Sequence, residues 1–186
     1  MASLIPFNKM FFNYYKEKPD LYGPFWIITT LIVAVTILGN LARYIDQAVN
    51  GDDTPFEYDF NYVPVATILI YSISFGLPLL LKLVMKLMGG GFFATSFVDL
   101  FGIYGYSFSS LIIVCVLCLI PSDKLRWLLI TYSAITSTGF LVVTYWHDLK
   151  ENLSPQKRLV IIGIVVVCQL VFFLMFRLYF FKHVLE

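Results

Sequence analysis

Five stretches of about 20 mostly apolar residues divide the chain, and each is long enough to cross about 30 Å of hydrocarbon as a helix. They fall at about Phe25 to Ile45, Val63 to Leu83, Phe97 to Ile120, Leu125 to Trp146 and Leu159 to Phe181. A backbone in lipid must satisfy its own hydrogen bonds, so all five are expected to be helical. Ahead of the first, Phe7, Met10, Phe11, Tyr14 and Tyr15 recur at helical spacing after Pro6, with Lys9, Asn13 and Lys16 on the other side. This predicts a short amphipathic helix lying in the membrane interface or packed on the bundle. The expected fold is an all-α integral membrane protein, a bundle of five transmembrane helices preceded by that interfacial helix. Residues 1–24 form a cytosolic segment, 25–181 the membrane unit and 182–186 a luminal tail.

Composition agrees. Of 186 residues, 59% are hydrophobic and only 13% charged, roughly half the charge of a soluble domain. A net charge of +1 without a clustered basic face excludes nucleic acid as a partner. The first twenty residues lack an apolar core followed by a small-residue cleavage site, so the first span is expected to direct insertion. With the amino terminus inside, eight Lys and Arg flank the spans on the cytosolic side and five on the other. The bias favours a cytosolic amino terminus and a luminal carboxyl terminus.

Candidate chemistry is sparse. The acidic loop "DDTPFEYD" lacks the spacing and central glycine of a calcium loop and reads as solvated. Cys115, Cys118 and Cys168 lie inside apolar runs and read as packing residues. His147 and His183 have no second ligand at metal spacing, and no Ser, His and Asp arrangement appears at helical depth. No metal, cofactor or catalytic residue is expected, and the chain is not expected to be an enzyme. Asn152 opens an Asn-Leu-Ser acceptor that this topology places in the cytosol, unmodified. The three glycines of "GGGFF" make a tight or mobile connection between spans two and three.

The approach to the first span, "PDLYGPFWII", is the most unusual stretch. Pro19 and Gly23-Pro24 keep the chain extended up to Phe25, with Gly23 as a cap and Pro24 at the helix start. Tyr22, Phe25 and Trp26 stand where headgroups meet hydrocarbon. Asp20 is left over, as a turn cap or a partner for a cation.

Together with "GNL" near the end of span one, "VPVATILIYSISFGLPLLL" in span two, "FVDLFGIYGYSF" in span three and "IPSDKLRWLLI" before span four, this stretch resembles the Yip domain family. These are Rab-GTPase-interacting membrane proteins of the early secretory pathway, and the likeness is to the Golgi branch with the Asp-Leu-Tyr-Gly-Pro-Phe-Trp motif. The resemblance runs from about Ile5 to Phe181. It implies a cytosolic amino terminus, residence in Golgi or endoplasmic-reticulum membranes, and partners among prenylated Rab GTPases and other Yip-family proteins. Relatives usually carry a long cytosolic amino-terminal region, whereas about two dozen residues precede the first span here.

Polar groups at membrane depth are the remaining candidates. Asp99, at the start of span three, is expected either to pair with Lys82 or Lys86 or to serve a partner or proton. Arg177 is expected to snorkel to the headgroups. Gly102, Gly105, Ser109 and Ser110, facing Ser133, Ala134, Ser137, Thr138 and Gly139, make spans three and four close neighbours. Asp20, Tyr22, Asp99, Tyr104 and Tyr106 fall in one leaflet and form a candidate polar-aromatic cluster. Gly23, Pro24 and Gly105 complete the residues singled out for partner binding. The leading function is a trafficking factor that binds Rab GTPases and related membrane partners. The alternative is a small transporter, channel or lipid-handling protein built around Asp99.

Overall fold

The structure, a computed structural model, describes residues 21–51, 55–87, 97–152 and 154–181. The amino-terminal amphipathic segment, Asp20, the glycine connection and the carboxyl-terminal tail lie outside the described residues, as do the side chains of His147, Asp148 and Asn152. Among the described residues all regular structure is helical: α1 (Tyr22–Asn50), α2 (Tyr62–Leu87), α3 (Phe97–Ser107), α4 (Ser109–Leu117), α5 (Asp123–Asn152) and α6 (Pro155–Phe180). Five spans result, the third made of α3 and α4 together, and each is long and apolar enough to cross a bilayer. The protein is an integral membrane protein.

The first span starts differently from the expectation. The helix begins at Tyr22, after Leu21, so Gly23 is its second residue rather than its cap. Pro24 is third, and its missing N–H costs nothing because the first four N–H groups of a helix have no partner within it. Phe25 makes the first helical bond, donating to the Leu21 carbonyl at 3.1 Å.

Span three is the most enclosed, packed against spans one, two and four. It is interrupted at Phe108, whose N–H reaches the Gly105 carbonyl at 3.3 Å instead of continuing the α pattern. The Tyr104 carbonyl then accepts from the Ser107 hydroxyl at 2.6 Å. A break at membrane depth is tolerable only inside protein, and Phe108 is fully buried.

Around this centre the bundle is filled by one face of each helix. Ile28, Leu31 and Val35 come from α1, Ile70, Leu77 and Leu81 from α2, and Phe172, Phe176 and Phe180 from α6. The three phenylalanines recur every four residues, which puts them on one side of the helix. The opposite faces carry exposed apolar residues such as Val33, Ile68, Ile135 and Val167, as lipid contact requires.

The small residues meet as expected in one place and not in another. Ser110 and Ser133 bring their hydroxyls to 3.2 Å, joining spans three and four. Gly105 faces span one, however, and a side chain at Gly139 would meet open space.

Candidate functional site

The two motifs that stand out in the sequence, Tyr-Gly-Pro-Phe-Trp and Tyr-Gly-Tyr-Ser, are packed against each other. A β-carbon at Gly105 of α3 would lie 2.6 Å from Cβ and 3.0 Å from Cα of Pro24. A β-carbon at Gly23 of α1 would lie 3.0 Å from Cζ of Tyr106. Each helix thus gives up a side chain where the other supplies a ring: Pro24 seats on Gly105, and Tyr106 seats on Gly23. Small residues let helices approach closely in lipid, where packing rather than water drives association.

This latch fixes the start of α1 and leaves its outer face bare. Tyr22 is 71% exposed, and Phe25 and Trp26 are each half exposed. Trp26 meets the rings of Tyr22 and Phe25 edge-on at 6.0 and 5.9 Å. Beside them a groove of about 580 Å³ opens between α1, α2 and α3, walled by Leu21, Tyr22, Phe25, Phe75, Phe97, Val98 and Phe101.

Asp99 is partly buried in the first turn of α3. Among the described residues no ion pair joins Asp99 to Lys82 or Lys86, in keeping with the helix register. Phe75 stacks on Phe97 and Phe101, with ring centroids 6.5 and 4.5 Å apart. The start of α3 is therefore level with Phe75, and Lys82 stands about 10 Å further along α2.

Tyr104 turns to the bundle centre instead of joining the rings of α1. Fully buried, it donates its hydroxyl to Oε1 of Gln169 on α6, whose Nε2 donates to Ser137 of α5 at 2.8 Å. One tyrosine, one amide and one serine thus tie spans three, four and five. Of the cluster expected in one leaflet, the structure joins Tyr106 to Gly23 next to Tyr22, sends Tyr104 elsewhere, and leaves Asp20 outside the described residues.

The far end of the bundle holds the contacts that the sequence does not announce. Asn40, of the "GNL" motif, accepts from the Asp59 N–H at 2.8 Å and donates to the Asp59 carbonyl at 3.2 Å, pinning the 55–59 loop. Its neighbour Gly39 makes room for the Tyr62 ring, 3.0 Å from where a β-carbon would stand. Asp46 of α1 accepts from both terminal nitrogens of Arg126 on α5, at 2.5 and 2.9 Å, while Nε of Arg126 donates to the Cys118 carbonyl at 2.8 Å. Both side chains are 1% exposed.

Arg177 corrects the snorkelling expectation. Its guanidinium is buried, donates to Asp123 and to the Phe181 carbonyl, and lies over the Trp127 ring at 5.1 Å. Asp123 opens the neighbouring span one turn from Trp127, so a carboxylate and a ring both reach the guanidinium. Buried charge persists where it is paired and hydrogen-bonded.

Comparison with known proteins agrees with the family resemblance read from the sequence. The chain matches the Yip1 domain over residues 2–177. It is similar to the Protein YIPF1 homolog of Dictyostelium discoideum, 33% identical over 186 residues, which is 100% of this chain and 52% of that protein. The chain thus spans about half the length of this curated relative. No solved structure matches. With the domain covering nearly its whole length, the chain belongs to the Yip1 domain family.

Proposed function

We propose that the protein is a non-enzymatic membrane-trafficking factor that binds prenylated Rab GTPases and other Yip-family proteins in Golgi or early secretory membranes. In this reading the amino terminus faces the cytosol and the carboxyl terminus the lumen. The observation that carries it is the latch between Gly23-Pro24 and Gly105-Tyr106. The residues of both family motifs are spent on holding one end of the bundle, and with it an exposed row of rings at Tyr22, Phe25 and Trp26. Aromatic side chains that are exposed yet rigidly based suit partner recognition, because little side-chain freedom is lost on contact.

The test is capture of a panel of Rab GTPases, prenylated and unprenylated, by the detergent-purified chain. Capture of a prenylated Rab that Y22A/W26A weakens, with the bundle's thermal stability unchanged, supports the assignment. Recovery of Yip-family partners with no Rab at all would remove direct GTPase binding from it.

A further inference from the structure

Two lysines stand over the apolar groove beside the start of α1. Lys82 and Lys86 follow Phe75 on α2 by seven and eleven residues. At 3.6 residues per turn both fall within about 20° of Phe75 around the helix, and about 10 and 16 Å further along its axis. Both are exposed, and among the described residues neither is paired with a carboxylate. Phe75 is the α2 residue in the groove wall, stacked on Phe101 and facing Leu21, Tyr22 and Phe25 of the opposite wall.

The groove and the lysines ask for different halves of one molecule. A wall of aromatic and aliphatic side chains offers nothing to a polar ligand and accepts a hydrocarbon chain. Two ammonium groups one turn apart, on the same face of α2 and beyond the level of the interfacial rings, attract an anion at headgroup depth. Their offset from Phe75 matches the step from a lipid phosphate to the upper part of its acyl chain. A neutral lipid satisfies the groove alone, and a soluble anion satisfies the lysines alone.

We propose that this face binds an anionic phospholipid of the surrounding leaflet, with its headgroup on Lys82 and Lys86 and one acyl chain laid against Phe75 and Phe101. The assignment is independent of any Rab partner.

The full chain, reconstituted in mixed phosphatidylserine and phosphatidylcholine nanodiscs and released into neutral detergent, is read by native mass spectrometry for retained lipid. Wild type is expected to retain phosphatidylserine over phosphatidylcholine. K82Q/K86Q, two exposed changes that leave the packing untouched, is expected to lower that preference about tenfold. F75A is expected to lower retention of both lipids while keeping the headgroup preference. Unchanged preference in K82Q/K86Q overturns the proposal, as does wild-type retention in F75A. Displacement of the lipid by glycerophosphoserine, which has no chains, as readily as by intact phosphatidylserine also overturns it, as does a protein or second copy covering the groove in place of lipid.

Discussion

Arg126 and Asp46, eighty positions apart in the chain, meet in a two-pronged ion pair that almost no solvent reaches. The pair joins the end of span one to the start of span four, and through the Cys118 carbonyl it also holds the end of span three. Removing one partner strands a buried charge. Either D46A or R126A is expected to cost about 3 to 5 kcal/mol, whereas D46L/R126M, which removes both charges, should cost much less. Thermal unfolding of the three variants in one detergent checks the order, and equal losses in all three would refute it.

The latch at the opposite end is asymmetric. A methyl group at Gly105 meets the Pro24 ring and backbone, neither of which can swing aside. A methyl group at Gly23 meets the tip of the Tyr106 side chain, which can. G105A is therefore expected to lose about 1 to 3 kcal/mol through overpacking, and G23A clearly less. Pro24→Ala should restore little of what G105A loses, because alanine keeps the Cβ, Cα and carbonyl that clash. Melting temperatures of G105A, G23A and G105A/P24A settle the matter.

Tyr104, Gln169 and Ser137 form one chain of hydrogen bonds, so their substitutions should not add. Y104F leaves the Gln169 oxygen unfilled, and Q169L strands both hydroxyls. Each is expected to cost about 0.5 to 2 kcal/mol, the range found for polar contacts between membrane helices. The double variant should lose less than the sum of the singles. A double-mutant cycle measures the coupling, and strict additivity would mean that the bond contributes nothing.

Asn40 holds the 55–59 loop through the backbone of Asp59 alone. In N40A the Asp59 amide loses its acceptor, and hydrogen exchange across residues 55–61 is expected to rise by about fivefold, in line with a bond of about 1 kcal/mol. Exchange in the middle of α1 should not change. If the loop keeps its protection, the loop is anchored by the Arg43 to Asp59 ion pair, 3.7 Å long, instead.

The five spans are legible in the sequence because a bilayer demands about 20 apolar residues and nothing else imitates that length. The latch is half legible. Gly23-Pro24 and Gly105-Tyr106 each stand out, but apolar periodicity in lipid does not say which helix faces which, so their pairing needs coordinates. Arg126 and Asp46 were visible as charges at the ends of two apolar runs on one side of the membrane. With Arg126 counted as an orientation signal and Asp46 as part of a solvated acidic loop, their attraction stays hidden. Gln169 had the plainest signal, a lone amide within "VVVCQLVFF". An amide at that depth must find a partner, and the only question is where. The start of α1 lies two residues earlier than expected because the proline rule fixes a region of the first turn rather than a single position.

The interruption at Phe108 separates two obligations of one span. Gly105 serves span one, and Ser110 serves span four, from directions about 140° apart around the helix axis. Span three is thereby keyed twice, like a shaft that drives two wheels at a fixed phase. One residue inserted between these keys turns one of them through about 100° and unseats a neighbour. One residue inserted in the connections beyond the ends of the span leaves both in place. Length variation in this protein is thus cheap between the spans and expensive across six residues at its centre.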